Sequence, residues 1–372
     1  MSNESQESAK LDLESPLNTG TSREVSESMI GVFLPEAGLR DFIWHEPVIR
    51  RLAAEDPSGK VTLLTGDVSA ARRILEPEDL VDCFVELSAE ILSADLTTPE
   101  KLPSVFFTLV AMMRKLSFEK VFIFSDQAIF AAATRFAGGG NVHIYGYSRK
   151  IGLAGFFLNN PLQFAEDTRI MRPMNRAALL LESLDINCHN PHPDLKVPSQ
   201  DVQILQERFS HIREPWISFG ITGVEDPWPP TRFAYILDML WERGYRGLFL
   251  TSSFPASEIG QQIMESCSIA EPQMAFGLSS GQIKALFNSS LLFFGHADSV
   301  MADLACAVGT QCAVLAKNPG YQAPSPLQLV ISPELGTSTT QESGLQAISI
   351  TQVMEVLRRL LPLIDLTANR GG

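Results

Sequence analysis

FFGHADSVMADLACAVGTQCAVL, residues 293–315, contains an apolar run, a polar break, a helix of small residues, a glycine stop and a second apolar run. This order predicts a strand–helix–strand unit of a parallel sheet. The helix would begin just after Asp298, and a helix N-terminus favours negative charge. Asp298 and Asp303 nevertheless make this helix start acidic. The pattern therefore predicts the fold class but leaves open what the helix start binds.

The same alternation of apolar and amphipathic segments extends over most of the chain. Predicted strands include MIGVFLPE, KVTLLTG, CFVEL, KVFIFS and VHIYGY, then PWISFGI, RGLFLTSS and LQLVIS after the turn-rich NCHNPHPDLKVPSQD. Helical patterns fall between them, which favours parallel sheets covered by helices. We therefore predict an α/β chain with two doubly wound, Rossmann-like domains, residues 29–200 and 201–372. Ligands of such sheets bind at the carboxyl ends of the strands, here in a cleft between the domains.

Composition limits the possible functions. Residues 1–28 are rich in Ser and Glu, hold six acidic and two basic residues, and predict a disordered polar tail. The whole chain has a formal net charge of −14, which argues against nucleic-acid binding. The sequence has neither a signal-peptide pattern nor an apolar run of membrane-spanning length. Its five cysteines are scattered, as in reduced proteins. These features predict a cytoplasmic protein with at most peripheral membrane contact.

The second half resembles glycosyltransferase family 9, the lipopolysaccharide heptosyltransferases. DSVMADLACAVGTQ, residues 298–311, is similar to the family's D-[ST]-G-x-M-H-L-A-A-A-L-G-T-P. SFGITGVEDPWPPTRF, residues 218–233, resembles its H-P-G-A-[ST] strand end followed by K-x-W-P-x-x-R-F. YRGLFLTSSFPASE, residues 245–258, resembles its strand ending in T-G-G-P-x-E. In the first half, GLRDFIWHEPVIRRL, residues 38–52, is similar to S-L-G-D-x-x-x-x-x-P-x-x-x-x-L, although this match is weaker.

The resemblance implies a glycosyltransferase-B fold with an N-terminal acceptor domain, a C-terminal nucleotide-sugar domain and a last helix that can cross back. It implies inverting, metal-independent transfer from a nucleotide-diphosphate sugar, with ADP-heptose as one candidate donor, to a lipopolysaccharide or other glycan acceptor. The donor is a substrate, and no further cofactor is expected. A carboxylate would take the acceptor's proton while protein groups stabilise the departing diphosphate.

Asp41 is the candidate catalytic base. Local sequence alone predicts a helix N-cap at this position, whereas the resemblance places Asp41 at the family's catalytic aspartate. Arg40 stands beside it where the family has glycine. Arg40 has one of two effects at this position: it holds Asp41 ionised, or it fills the acceptor pocket.

The candidate donor-binding residues are Gly220, Thr222, Glu258, Asp298 and Ser299. The resemblance implies that Ser299 and the helix-start amides bind the diphosphate, and that Asp298 orders the loop or binds a sugar hydroxyl. Gly220 and Thr222 would shape the donor loop. Glu258 would serve as the ribose-binding carboxylate, since Ala256 occupies the family's position for it. Local sequence alone predicts that Asp298 and Ser299 are N-cap residues.

Several substitutions leave the activity open. Ser218 and Asp303 stand where the family has histidine, Asp226 where it has lysine, and Val300 where it has glycine. An alternative is therefore a binding or scaffold protein that has lost turnover, and a third is a nucleotide-sugar isomerase. Four basic residues could replace the missing lysine, although each also fits a solvated helix face: Arg172, Arg176, Arg232 and Lys284.

Histidines offer little further chemistry in the sequence. CHNPHPD, residues 188–194, has no second ligand pair at a zinc spacing, so no metal site is expected. His45 and His143 lie in apolar runs and are predicted to be core residues.

Overall fold

The computed structural model describes residues 28–92, 102–149, 153–164, 173–221, 227–252, 258–333 and 344–361. The predicted polar tail lies outside these ranges except for Ser28. That residue is buried, and its hydroxyl donates to the carbonyl oxygen of Ile30 at 3.1 Å. Within the described ranges, no helix is both long and apolar enough to cross a membrane.

The first half is one parallel sheet with helices between its strands. The strands are β1 (Ile30–Leu34), β2 (Val61–Thr65), β3 (Val81–Glu86), β4 (Lys120–Ile123), β5 (His143–Arg149) and β6 (Asn160–Phe164). The helices are α1 (Leu39–Glu55), α2 (Val68–Leu75), α3 (Ala89–Leu92), α4 (Leu102–Leu116), α5 (Ala128–Gly138) and α6 (Pro173–Glu182). The strand order is β3-β2-β1-β4-β5-β6, so the direction of winding reverses between β1 and β4.

The second half repeats this arrangement. Its strands are β7 (Trp216–Ile221), β8 (Gly247–Ser252), β9 (Gln273–Met274), β10 (Ser290–His296), β11 (Cys312–Leu315) and β12 (Gln328–Ile331). Its helices are α7 (Ser199–Arg208), α8 (Pro230–Glu242), α9 (Glu258–Ser266), α10 (Ser280–Asn288), α11 (Val300–Ala307) and α12 (Ile350–Leu360). The order β12-β11-β10-β7-β8-β9 places its switch point between β7 and β10.

The predicted α/β fold with two doubly wound sheets is confirmed: each sheet has six strands, all parallel. Helices α2, α3 and α7 and the edge strands β6 and β9 were not predicted, because they are short or lie in turn-rich sequence. Helix α7 packs on α10 of the second half, and the boundary at residues 200/201 stays a prediction. Helix α12 contacts α8 and β12, so the described part of the last helix stays with the second half.

The two halves meet where α1 packs against α11. One apolar cluster contains side chains of both helices, among them Phe42 and Ile49 of α1 and Ala302 and Ala305 of α11. The small side chains of α11 allow another helix to approach closely, since the distance between packed helices depends on the side chains at the contact. Helix α1, whose first turn holds Arg40 and Asp41, is therefore fixed against helix α11, which begins after the acidic loop at Asp298.

A buried ionic network attaches the connecting segment, residues 183–198 between α6 and α7, to the first half. Glu46 and Glu78 are buried and share Arg50, whose Nε lies 2.6 Å from Glu46 Oε1 and whose Nη2 lies 3.2 Å from Glu78 Oε2. The backbone N–H of Asp194 donates to Glu46 at 3.2 Å, and that of Lys196 donates to Glu78 at 2.7 Å. The buried carboxylates are therefore satisfied partly by the connecting segment itself.

Leu195, between these two amides, reaches the second half. Its N–H donates to the carbonyl oxygen of Ala307, the last residue of α11, at 2.8 Å. Residues 194–196 thus bind the first half through the network around Arg50 and the second half through the C-terminal end of α11. This contact holds α1 and α11 together at the end remote from the acidic loop.

Glu78→Gln tests the network. The substitution keeps the shape but turns a neutral amide toward Arg50, so we expect the free energy of unfolding to fall by about 2 kcal/mol. Glu76→Gln is the control, because Glu76 is exposed and pairs with the exposed Arg72 one turn before it; we expect a change of about 0.5 kcal/mol or less. Urea unfolding of both variants measures the difference, and equal effects would contradict a buried network.

Candidate functional site

A cavity of about 310 Å³ lies in the cleft between the halves. It opens at the carboxyl ends of β1 and β10, each next to its sheet's switch point, which is the usual ligand position in this class of sheet. The starts of α1 and α11 both contribute to its wall. Its described lining residues are Arg40, Asp41, Trp44, His45, Pro173, Met174, Asp298, Tyr321 and Pro324.

Asp41 lies in the first turn of α1 and is half-buried. The N-cap predicted from local sequence is wrong by three residues: Gly38 is the N-cap, and its N–H donates to Asp41 Oδ2 at 3.0 Å. Asp41 also lines a second cavity of about 170 Å³, on the side of the first half, together with Phe124, Tyr147 and Arg176. The carboxylate therefore stands at the junction of two cavities.

His45 is a site residue that the sequence analysis missed. It is buried, as expected for a core residue, but it lines both cavities. Its Nδ1 lies 2.8 Å from the carbonyl oxygen of Asp41, one helical turn earlier. Burial lowers the pKa of His45, so the ring is neutral near pH 7. The i, i+4 spacing from Asp41 was the signal that could have identified it.

His143 corrects the other histidine prediction. It is exposed at the start of β5, and its ring stacks on Tyr145 with 6.4 Å between centroids. Strand alternation places residues two apart on the same face of the sheet, which explains the pairing. The apolar run around His143 marks a strand with an exposed first residue.

The start of α11 has a capped geometry. Ser299 is the N-cap, and its Oγ accepts a hydrogen bond from the N–H of Met301 at 3.1 Å. The N-cap interpretation of Ser299 is therefore correct, although the residue is buried. Asp298 precedes the cap and has an exposed side chain. Val300 opens the helix at the position of the family's glycine.

The acidic helix start holds a guanidinium from the other half. Arg40 Nε is paired with Oδ2 of Asp303, which is fully buried in α11. Arg40 Nη1 lies 3.7 Å from Oδ1 of Asp298, and Nη2 lies 3.5 Å from the carbonyl oxygen of Ala297. Arg40 and Asp303 both depart from the family pattern, in different motifs, and the fold brings the two substitutions into contact.

Asp303 has unusual electrostatics for a carboxylate. Burial raises its pKa to about 6, although Arg40 and hydrogen bonds from Trp44 and Gln328 act in the opposite direction. The Gln328 amide lies 3.5 Å from Oδ1. Burial also lowers the pKa of Arg40, but Asp303 and Tyr321 outweigh that effect, so the net shift is upward and the guanidinium stays charged.

The structure does not bring all predicted donor residues to the cavity. Gly220 is buried in β7, where an added Cβ would meet the ring of Phe293, so packing explains the glycine. Glu258 is exposed at the first residue of α9, and neither residue is among the described lining of the cavity. Ser218 is buried, with its Oγ 2.7 Å from Ser290 Oγ, and belongs to the core.

Thr222, Asp226, Ala256 and Arg172 lie outside the described residues. The other three candidate cations differ in their surroundings. Arg176 lines the second cavity, and its guanidinium carbon lies 5.6 Å from the centroid of the Tyr147 ring. Arg232 donates to the carbonyl oxygen of Ile348 at 2.9 Å, which ties α8 to the chain before α12. Lys284 is fully buried in α10, so the solvated-face interpretation is wrong for it.

The histidines of the connecting segment have protein partners. His192 Nε2 lies 2.8 Å from Ser325 Oγ, and His189 Nδ1 lies 2.7 Å from Glu182 Oε1. In the described parts of the chain, no group of three or more His, Cys, Asp or Glu side chains is placed to hold a metal. These two histidines thus connect the segment to neighbouring elements.

Asp303→Asn tests the burial of the carboxylate. Its pKa is about 6 in the folded protein against an ordinary value of 3.8, so the folded state binds the proton more tightly than the unfolded chain. The stability contributed by this group is therefore present below about pH 4 and lost as the pH rises to about 6.

Because a shift of about 2 pH units corresponds to about 3 kcal/mol, the unfolding free energy of the variant should rise relative to wild type by that amount from pH 4 to pH 7. Urea unfolding at a series of pH values measures the difference. A difference independent of pH would show that Arg40 and Trp44 fully offset the cost of burial.

No protein-family model matches the chain, and none of the curated proteins matches it significantly. Solved structures match over most of its length. A glycosyl transferase family 9 protein from Veillonella parvula superimposes with a TM-score of 0.67 at 18% identity, covering 91% of this chain and 99% of that chain. The ADP-heptose LPS heptosyltransferase II of E. coli gives 0.63 at 19% identity, with 89% and 98% covered.

A UDP-GlcNAc 2-epimerase from Neisseria meningitidis is also similar, with a TM-score of 0.53 at 11% identity, covering 89% of this chain and 90% of that chain. Two enzyme classes therefore share this arrangement of two sheets, and identities this low establish the fold alone. The fold implied by the family resemblance is confirmed. The chain has a glycosyltransferase-B-like fold, similar to those of solved family 9 heptosyltransferases.

Proposed function

We propose that this chain is a cytoplasmic glycosyltransferase of the heptosyltransferase type. It would transfer a sugar from a nucleotide-diphosphate donor to a hydroxyl of a lipopolysaccharide or other glycan acceptor. The observation that carries the proposal is the position of Asp41, half-buried at the junction of two cavities and opposite the start of α11. A base at such a junction can contact an acceptor in one cavity and a donor in the other.

The proposed reaction needs few protein groups. The acceptor oxygen forms a bond to the anomeric carbon of the donor sugar. The bond from that carbon to the diphosphate oxygen breaks, and its electron pair leaves with the nucleoside diphosphate. Asp41 takes the proton of the acceptor hydroxyl. We propose inversion at the anomeric carbon without a metal, as the family resemblance implies.

The fold suggests where each substrate binds. The acceptor hydroxyl would enter the cavity of about 170 Å³ formed by the first half. The donor would occupy the larger cavity between the halves, with Ser299 and the first amides of α11 near its diphosphate. Gly220, Thr222, Glu258 and Asp298 remain proposed donor-site residues. ADP-heptose is the first donor to test, since one similar structure is that of the E. coli ADP-heptose LPS heptosyltransferase II.

A binding or scaffold protein without turnover is the second candidate. The observation that favours it is the contact of Arg40 with Asp298 and Asp303 at the start of α11. A guanidinium held by two carboxylates occupies the region in which a diphosphate would bind. The donor must therefore compete with protein side chains, whereas a scaffold would retain the ion pair permanently.

Asp41→Asn tests the proposal. The amide keeps an oxygen to accept from the N–H of Gly38, so the helix cap survives, but it cannot take a proton. We expect the rate of nucleoside-diphosphate release from ADP-heptose, UDP-sugars or GDP-sugars to fall by about 10²–10⁴-fold in the presence of a glycan acceptor, with nucleotide affinity changed little.

Asp67→Asn is the matched control. Asp67 is the N-cap of α2 and, like Asp41, its carboxylate accepts a backbone N–H at a helix start, that of Ala70 at 2.8 Å, but it is not among the described lining of either cavity. We expect its transfer rate to equal that of wild type. Nucleotide binding without turnover of any donor would favour the scaffold, and sugar conversion without an acceptor would favour an isomerase.

A further inference from the structure

Arg40 is the basic residue that faces the larger cavity. The charged residues among its described lining are Arg40, Asp41 and Asp298, and His45 is neutral near pH 7 because burial lowers its pKa. A diphosphate leaving group carries negative charge that a cavity with two carboxylates would repel. Binding of such a group therefore depends on how Arg40 is held.

The partners of Arg40 differ in strength. Its Nε is anchored on the fully buried Asp303, which also accepts a hydrogen bond from Trp44. Its Nη1 faces Asp298 at 3.7 Å, and the Asp298 side chain is 66% exposed. Exposed ion pairs at such separations contribute little, because water screens the charges. Thus Nε is held firmly, whereas Nη1 can exchange its partner.

The third guanidinium nitrogen is also weakly held. Nη2 lies 3.5 Å from the carbonyl oxygen of Ala297, at the long limit of a hydrogen bond. The same carbonyl accepts from the hydroxyl of Tyr321 at 3.1 Å. It would therefore keep a donor if Nη2 moved away. The guanidinium is fixed at one nitrogen, and Arg40 lines the cavity, so its two weakly held Nη groups are available to a ligand there.

We propose that Arg40 binds the diphosphate of the donor through its two Nη groups, with Asp303 as the positioning residue and Asp298 displaced. This inference rests on the proposed function. Paired Nη groups match the spacing of two phosphate oxygens and form charge-assisted hydrogen bonds. Arg40 immediately precedes Asp41 in the first turn of α1, so the cation that receives the leaving group and the base that takes the proton are adjacent in the chain.

The proposal predicts opposite effects for two neighbouring side chains. Arg40→Gln removes the cation, and we expect ADP to bind at least 10-fold more weakly while adenosine affinity stays the same. Arg40→Lys keeps the charge without the paired donors, and we expect an intermediate affinity. Asp298→Asn removes the competing carboxylate, and we expect ADP to bind severalfold more tightly. If Arg40 were only structural, its replacement would weaken the binding of ADP and of adenosine alike.

The experiment is calorimetric titration of the full chain with ADP, UDP, GDP and adenosine, with urea unfolding to verify that each variant is folded. Arg51→Gln is the matched control, since Arg51 is exposed on the same helix and does not line the cavity. We expect it to bind like wild type. If adenosine binds too weakly to measure, AMP replaces it, and the loss with Arg40→Gln should then be larger for ADP than for AMP.

Each result has a distinct meaning. Wild-type binding of a nucleoside diphosphate that survives Arg40→Gln, or that weakens with Asp298→Asn, would overturn the role of Arg40 and leave the glycosyltransferase proposal intact. If Arg40→Gln does not fold, a wild-type affinity for Arg40→Lys together with no gain in Asp298→Asn would overturn it equally. Failure of wild type to bind ADP, UDP and GDP would overturn the inference and the nucleotide-sugar function together.

Discussion

The packing of α1 against α11 is the constraint on which the site depends. Each helix begins at the carboxyl end of a strand beside its sheet's switch point, so their contact places two ligand-binding edges face to face. Small side chains on α11 permit the close approach of α1. Residues 194–196 hold the C-terminal end of α11, and the ion pair between Arg40 and Asp303 joins its N-terminal end to α1. The cavity is the space that remains beside this contact.

The balance of charges at the starts of α1 and α11 determines which ligand groups the cavity can accept. Asp303 is buried with one cationic partner, and its raised pKa shows that desolvation outweighs that partner. Asp298 adds negative charge beside the same guanidinium, and Asp41 lines the same cavity. Under the proposal made for Arg40, an anionic ligand group would have to displace the carboxylate of Asp298 from the guanidinium, whereas a neutral group would not. The two proposed functions, turnover and binding, differ in whether a ligand displaces this carboxylate.

The sequence predicted the fold well because the periodicity of its apolar residues is regular, and because β10, α11 and β11 follow one another in a single short stretch. It also predicted that Asp41 and Asp298 lie near one cleft, and both line the cavity between the halves. It could not predict that Arg40 contacts Asp303, because those residues are far apart in the chain and only tertiary packing joins them. His45 was hidden for a different reason, since a buried ring and a cavity-lining ring have the same apolar neighbours in sequence. Gly220 shows that packing alone can require a motif-like glycine, because an added Cβ there would meet the ring of Phe293.

The pairing of Arg40 with Asp303 has a consequence for how such a sequence can arise. If an ancestor carried glycine and histidine at these positions, as the family pattern has them, the two changes were not equivalent in order. An aspartate arriving first would have been a fully buried charge with no counter-charge, whereas an arginine arriving first would have kept its side chain 36% exposed to water. The less costly order is therefore arginine first. With Asp303 in place, replacing Arg40 alone leaves a fully buried carboxylate without its cation, so the two positions constrain each other.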